Sequence, residues 1–316
     1  MIRTAVIGAG AFGRNHVRTV RENPRTELKF VVDVNLARAA EQAGGAVATA
    51  DVGDILGHVD AAIVAVPTIA HGEIGCRLLE AGIDVLMEKP LAPTMADADR
   101  LVDAAARNGR ILQCGHLERF NPAVIALEQR ATLPLFFEVH RMSIFTPRAL
   151  DVDVVLDLMV HDLDIVLALA KGELKDIRAA GISILSPKTD IANVRLGFSD
   201  GCIANLTASR VSTEKVRKLR MFQPHQYISV DYAKQAVAVF TVGGPQGIDF
   251  AQLEIENAEP LKLQFNAFLD SVETRRAPKL DGVRARRTLE VALAVIDRIE
   301  EHAGVVSKTL ASGWKP

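Results

Sequence analysis

The sequence predicts an α/β protein. An N-terminal Rossmann domain with a doubly wound parallel sheet is followed by a C-terminal α+β domain with a large, mostly antiparallel open sheet. Three observations lead there. Short apolar runs alternate with helical patterns as far as Gly115. The first of those runs ends in a glycine-rich turn that opens a helix. From about residue 121, strand-like runs follow one another with little helix between them. The boundary is therefore placed after residue 120, giving domains 1–120 and 121–316.

Taken in order, Thr4-Ala5-Val6-Ile7 reads as a buried strand. Gly8-Ala9-Gly10-Ala11-Phe12-Gly13 follows it as G-x-G-x-x-G and starts a helix running from about residue 11 to 21. Gly8 allows a sharp turn, Gly10 lets backbone approach a pyrophosphate, and Gly13 lets helix and strand pack closely. The helix N-terminus offers unpaired N–H groups to the phosphates. A second strand, 28–32, ends at Asp33, which lies 20 residues past Gly13. An acid there accepts hydrogen bonds from ribose hydroxyls and repels a 2′-phosphate, so NAD is favoured over NADP. Arg38 would stack on adenine or partly offset that repulsion. A glycine-rich turn of another α/β domain, or an FAD site, is the competing reading.

The alternation continues. A helix over 36–43, a short strand at 46–48 and a short helix at 52–56 precede a buried strand, 61–66, stopped by Pro67. A helix from about 70 to 81 ends at Gly82, a natural left-handed cap. The next strand, 83–87, ends at Glu88-Lys89-Pro90. Thr94 caps a helix that runs to Asn108-Gly109, and 110–114 is another strand. Asp33, Pro67, Lys89 and Gly115 thus fall at the carboxyl ends of parallel strands, where such sheets bind ligands. Beyond residue 121 come a helix (122–130), a strand (135–144) and one strong helix (154–170). Strand-like runs at 177–185, 192–198, 202–209, 216–222, 227–230 and 236–240 make a sheet of about six strands or more. Ser199-Asp200-Gly201 is a hairpin signal. Helices over 261–275 and 283–302 close the chain.

Composition bounds the partners. At 316 residues, with 49% hydrophobic and 24% charged residues, this is ordinary globular composition. A net charge of −2 gives no general attraction to nucleic acid or anionic membrane. No apolar run approaches the roughly 18 residues a membrane span needs. The N-terminal apolar stretch holds the phosphate-binding glycines and has no cleavage region, so it is not read as a signal peptide. The three cysteines, Cys76, Cys114 and Cys202, are scattered and read as buried thiols in a reducing cytoplasm. No metal is expected from them.

Two positions carry chemistry. Helix 154–170 is almost wholly apolar, yet Asp157, His161 and Asp164 share one face at i, i+4 and i+7. Buried charge is costly unless paired or functional. A carboxylate one turn from a histidine fixes its tautomer and raises its basicity. A structural Asp–His pair and a metal site are the other readings. Lys89 follows a buried strand and precedes Pro90, which biases it to an extended backbone. A partly buried lysine there would hold a substrate hydroxyl or share its proton. A solvated loop lysine is the plain alternative.

Glu88-Lys89-Pro90, combined with Asp157-x-x-x-His161, resembles the Gfo/Idh/MocA oxidoreductases. Ala65-Val66-Pro67-Thr68 with His71, Gly115-His116, and Arg119-Phe120-Asn121-Pro122 extend the resemblance over nearly the whole chain. It implies hydride transfer between a sugar or polyol carbon and a nicotinamide, with Lys89, Asp157 and His161 at the catalytic positions. It also implies an open sheet used for oligomerisation, as a homodimer or homotetramer. The cofactor contacts expected are Gly8, Gly10, Ala11, Phe12, Gly13, Asp33, Arg38, Pro67, His71, Glu88 and Lys89. One departure concerns the Gly-Gly that the family often carries before the Asp; here the stretch is Asp151-Val152-Asp153-Val154, which puts the local substrate contacts in doubt.

A narrower likeness lies in residues 188–193, 204–210 and 218–224. They resemble the branch that oxidises UDP-N-acetylglucosamine at C3 and hands the ketone to an aminotransferase, towards the 2,3-diamino sugar of lipid A. Residues 210–220 carry Arg210, Lys215, Arg217, Lys218 and Arg220 against Glu214. Guanidinium groups suit a diphosphate. The substrate contacts expected are Lys89, Arg148, Asp157, His161, Arg210, Arg217 and Arg220. Strand alternation would separate Arg217 from Lys218 and Arg220. His161 is expected to act as general base while Lys89 stabilises the oxygen, or the reverse. A dehydrogenase of inositol or a free sugar, and a non-catalytic NAD-binding regulator, are the rival functions.

Overall fold

The structure, a computed structural model, describes residues 1–146, 152–243 and 247–311. The chain forms two units, Met1–Leu117 with Glu259–Leu289, and Glu118–Ala258 with Glu290 onward.

The first unit alternates strand and helix: β1 (Ile2–Ile7), α1 (Gly13–Glu22), β2 (Thr26–Val32), α2 (Leu36–Ala43), β3 (Val47–Thr49), β4 (Ala61–Val64), α3 (His71–Glu80), β5 (Asp84–Glu88), α4 (Met95–Asn108) and β6 (Leu112–Gly115). The sheet order is β3-β2-β1-β4-β5-β6, and every pairing is parallel. Order reverses between β1 and β4, the switch point where such sheets bind nucleotides. The apolar runs read as buried strands are buried: Val6, Ile63, Val85 and Leu86 expose nothing. The caps also follow the sequence. Thr94 Oγ1 accepts from the Asp97 N–H at 3.1 Å, and Gly109 closes α4 in the left-handed region at φ +58°.

The second unit holds α5 (Pro122–Arg130), β7 (Phe136–Ile144), α6 (Val160–Leu169), and the strands β8 (Leu174–Ile182), β9 (Ile191–Phe198), β10 (Ile203–Ser212), β11 (Val216–Gln223), β12 (Gln226–Asp231), β13 (Ala236–Val242) and β14 (Ile248–Gln252). Helices α7 (Pro260–Thr274) and α8 (Gly282–Ala311) end the described chain. The eight strands run β14-β13-β12-β11-β7-β10-β9-β8. All pair antiparallel except β7 with β10. One face buries Phe137, Val139, Val194, Leu206, Leu219 and Met221 against Val160, Leu163 and Val166 of α6. The other face carries a row of rings, Phe136, Phe222, Tyr227, Phe240 and Phe250, with successive centroids 5.9, 4.9, 5.2 and 4.9 Å apart.

Three differences from expectation have physical causes. Strand β14 is five residues long and carries no buried residue, so the single alternation Ile248-Asp249-Phe250 is all that the sequence offers to announce it. Helix 154–170 is not one α-helix: Val155–Met159 is a π-helical turn, and α6 starts after it. Residues 259–289, expected in the second domain, belong to the first unit. Phe265, Phe268 and Leu269 of α7 join Val6, Val17 and Val20 in one core, and Arg275 clamps Asp84 with two hydrogen bonds of 2.6 and 3.1 Å. Among the described residues no helix is long and apolar enough to cross a membrane.

Candidate active site

The glycine-rich turn is built as a cradle. Gly8 adopts φ +94°, and a Cβ on it would lie 2.4 Å from the Ala65 carbonyl oxygen. A Cβ on Gly13 would lie 1.7 Å from the Gly8 carbonyl oxygen. Gly10 differs, because a Cβ there would meet nothing within 4 Å. Its bareness serves no packing need of the chain and leaves backbone accessible to a ligand. The α1 N-terminus has no side-chain cap and no acid in its first turn, so no carboxylate or capping side chain competes with a phosphate there. Asp33, buried at the end of β2, accepts from the Ala9 N–H at 2.8 Å and the Asn35 N–H at 2.9 Å. Arg38 stands 3.6 Å from Asp33 Oδ2, at the rim of a cleft of about 710 Å³ that Gly10, Ala11 and Arg14 also line. These residues fit a dinucleotide.

At the carboxyl end of β5, Glu88 is buried and Lys89 half-buried. The Lys89–Pro90 peptide is cis. The His71 ring is buried, with Nδ1 3.0 Å from the Pro90 carbonyl oxygen and Nε2 3.0 Å from that of Val66. Burial lowers the His71 pKa, against the three carbonyls that would hold a proton there. His71 therefore staples the β4 turn to the Lys89–Pro90 turn. His71 as a residue is 1% exposed, so the structure places it beneath the surface a cofactor would meet.

Asp157 lies in the π-helical turn and His161 in the first turn of α6. Both are half-buried, whereas Val155, Met159, Val160 and residues 162–166 are buried. They are the half-exposed polar residues of the segment, whereas Asp162 and Asp164 are buried. π-Helical turns are rare and concentrate at functional sites. Asp164 takes Arg119 Nη1 at 3.2 Å, while Arg119 Nε donates to Glu128 at 2.7 Å. Beside it, buried Arg141 donates to both oxygens of Asp162 at 2.6 and 2.8 Å and to Glu118 at 2.9 Å. Burial alone would lower the Arg141 pKa, but Asp162 and Glu118 hold it well above the ordinary value. These pairs set the rotation of α6 and hence the direction of His161.

Residues 2–116 match the oxidoreductase family with an NAD-binding Rossmann fold (GFO_IDH_MocA), and residues 129–240 match the GFO/IDH/MocA C-terminal domain. The chain belongs to the Gfo/Idh/MocA oxidoreductase family. It is 34% identical over 307 residues to UDP-N-acetylglucosamine 3-dehydrogenase of Acidithiobacillus ferrooxidans, covering 95% of this chain and 97% of that one. A solved structure of UDP-N-acetylglucosamine 3-dehydrogenase from Acidithiobacillus ferrooxidans superposes with a TM-score of 0.90 over 95% of this chain and 98% of that one. Inositol 2-dehydrogenase 1 of Saccharopolyspora erythraea is 27% identical over 92% of this chain and 93% of its own.

Among Gfo/Idh/MocA chains, cations near a substrate invite a reading as anion ligands, and here the structure separates them. Arg210 is buried: Nη2 donates to the Val152 and Thr189 carbonyls at 2.7 and 2.8 Å, and Nε lies 3.1 Å from Asp190. It buttresses the chain just ahead of the π-helical turn, which corrects its expected place at the substrate. Arg220 donates to Glu138 at 2.9 Å on the face with the aromatic row, opposite α6, so its expected place is corrected too. Strand alternation is the reason. Arg217 shares parity with Leu219 and Met221, faces the α6 side, and lies 3.7 Å from Glu118. Arg148 lies outside the described residues. Sequence reasoning missed Val34 and Ile69, 94% and 80% exposed just past the ends of β2 and β4. Phe12, in the glycine-rich turn, is 43% exposed, so each of the three is a single apolar side chain left in solvent near the sheet's carboxyl edge. Single exposed apolar residues give no signal in a sequence.

Proposed function

We propose that this chain uses NAD to oxidise a sugar-nucleotide hydroxyl to a ketone, namely the 3-hydroxyl of UDP-N-acetylglucosamine. Similarity over 95% of the chain to a UDP-N-acetylglucosamine 3-dehydrogenase carries the reading. The glycine cradle and the uncapped α1 N-terminus hold the pyrophosphate, and Asp33 favours NAD because its carboxylate would repel a 2′-phosphate. Bound NAD supplies the hydride acceptor. His161 takes the hydroxyl proton as general base, with Asp157 holding its orientation. Lys89 donates a hydrogen bond to the same oxygen and stabilises its developing charge. The two can exchange these roles. Among the described residues, Arg217 is the expected substrate arginine that stands on the α6 side for the diphosphate. The ketone passes to an aminotransferase, towards a 2,3-diamino sugar nucleotide for lipid A, in the cytoplasm. The protein works as a homodimer or homotetramer through its open sheet face.

The test is NADH absorbance on mixing protein, NAD and UDP-N-acetylglucosamine with an aminotransferase and glutamate. NADH should accumulate, and Lys89→Met and His161→Ala should each slow it by about 10²-fold or more. No NADH from UDP sugars, but growth with inositol, would favour the second reading, a polyol dehydrogenase, which the inositol 2-dehydrogenase similarity supports.

A further inference from the structure

His16 lies in α1, the helix whose N-terminus faces the phosphate cradle, and its ring is fully buried. Its Nε2 is 2.7 Å from Glu88 Oε1. The other oxygen of Glu88 accepts from the Lys89 N–H at 3.3 Å. The carboxyl lies flat against Gly115, its register partner on β6, where a Cβ would come within 3.0 Å of Cδ and both oxygens. Among the described residues, no hydrogen-bond partner meets the buried His16 Nδ1. With Nε2–H donating to Oε1, the bare lone pair of the imidazole sits at Nδ1. Phe12, at the N-cap of α1, sets its ring edge-on to His16 with centroids 5.5 Å apart.

A buried imidazole with one nitrogen unpartnered is a costly way to fill space. Nothing in the hydride transfer uses it. We propose that His16 is a positioning residue for Lys89, acting through Glu88 so that the helix receiving the cofactor phosphates and the backbone of the lysine move as one piece. The inference rests on the role given to Lys89 above. Its link runs side chain to side chain to main chain, from His16 Nε2 through Glu88 to the Lys89 amide. Loss of the imidazole leaves the buried Glu88 Oε1 without this donor, and the carboxyl must turn to find another or shift its contact with the Lys89 N–H. Either change releases the Lys89 amide.

The test compares His16→Leu with His16→Gln, whose amide nitrogen can occupy the Nε2 position. Three quantities are read: NADH affinity by fluorescence titration, kcat and KM on whichever sugar the wild type oxidises, and the rate of Lys89 acetylation by acetic anhydride, followed by mass spectrometry with and without NADH. His16→Leu should hold NADH affinity within about threefold and lower kcat about tenfold or more with little change in KM, the mark of a misplaced catalytic group. Lys89 acetylation should change about threefold or more, and His16→Gln should restore most of both. Wild-type kcat and acetylation in His16→Leu would overturn the proposal. So would a fall in melting temperature and NADH affinity with unchanged Lys89 acetylation, or a glutamine variant no better than leucine. Should His16→Leu fail to fold, Glu88→Gln reads the same contact, and unchanged acetylation there overturns the proposal as well. Acetylation needs no sugar, so a wild type that ignores UDP-N-acetylglucosamine counts against the proposed substrate alone.

Discussion

Asp190 accepts hydrogen bonds from the N–H groups of Ile184, Leu185 and Ser186 at 2.6, 2.6 and 3.0 Å, from the Ser186 hydroxyl at 2.6 Å, and pairs with Arg210 at 3.1 Å. Burial alone would raise its pKa; the hydroxyl and the three backbone donors bring it from 3.8 down to about 2. A carboxyl depressed in the folded state stabilises it above the unfolded pKa, and that contribution is lost as pH falls through the folded pKa. A depression of this size corresponds to about 2 kcal/mol. Asp190→Asn should therefore lower the unfolding free energy in urea by about 2 kcal/mol at neutral pH. The gap to wild type should hold at pH 5 and narrow as pH drops from about 4 towards 2. A gap that does not change with pH would assign the effect to packing instead. Arg210 was legible in the sequence only as a cation among cations. Its buried pairing depends on Asp190, 20 positions earlier in the turn just before β9, and spacing along the chain does not encode that.

The elements whose logic is local were legible. β1, the glycine turn and α1 form a unit whose residue choices answer to each other within 22 positions: Gly8 takes the positive φ of a sharp turn and Gly13 the close packing their places suggested, while Gly10 borders open space. That separation is testable. Gly13→Ala puts a methyl into the Gly8 carbonyl, so it should destabilise the protein by more than about 1 kcal/mol and weaken NADH binding together. Gly10→Ala meets no protein atom, so its melting temperature should match wild type while NADH affinity falls about tenfold or more, the methyl standing where the pyrophosphate must come. Equal melting losses in both variants would mean that Gly10 is structural. The π-helical turn at Val155–Met159 was not legible, because Asp157, His161 and Asp164 fit an ordinary helix equally well. Tertiary anchors decide it: the Val154 N–H reaches the Thr189 carbonyl at 3.2 Å, and Asp162 and Asp164 are held by arginines on other elements.

At the scale of the whole molecule, the two-part division follows from hydrophobic pattern, while the return of 259–289 to the first unit depends on which core receives Phe265 and Phe268. A helical period says that α7 has a buried face but not which unit buries it. The same logic governs the open face of the eight-stranded sheet. Phe136, Phe222, Tyr227, Phe240 and Phe250 run across five adjacent strands, and Phe222, Val242, Ile248 and Phe250 are 37–64% exposed. A contiguous aromatic row of this kind in water is unfavourable, and a second copy laid across it would remove both surfaces from solvent in a self-complementary, two-fold arrangement. Arg220 and Glu138 on the same face pair with each other at 2.9 Å and so add no net charge to oppose contact. The paired substitution Phe222→Asp and Phe250→Asp should convert the proposed oligomer to monomer in sedimentation velocity. Both residues are exposed and lie on the face opposite α6, so NADH affinity should stay within about twofold of wild type. Retention of the wild-type sedimentation coefficient would remove this face as the interface, and a monomeric wild type would remove the proposed assembly altogether.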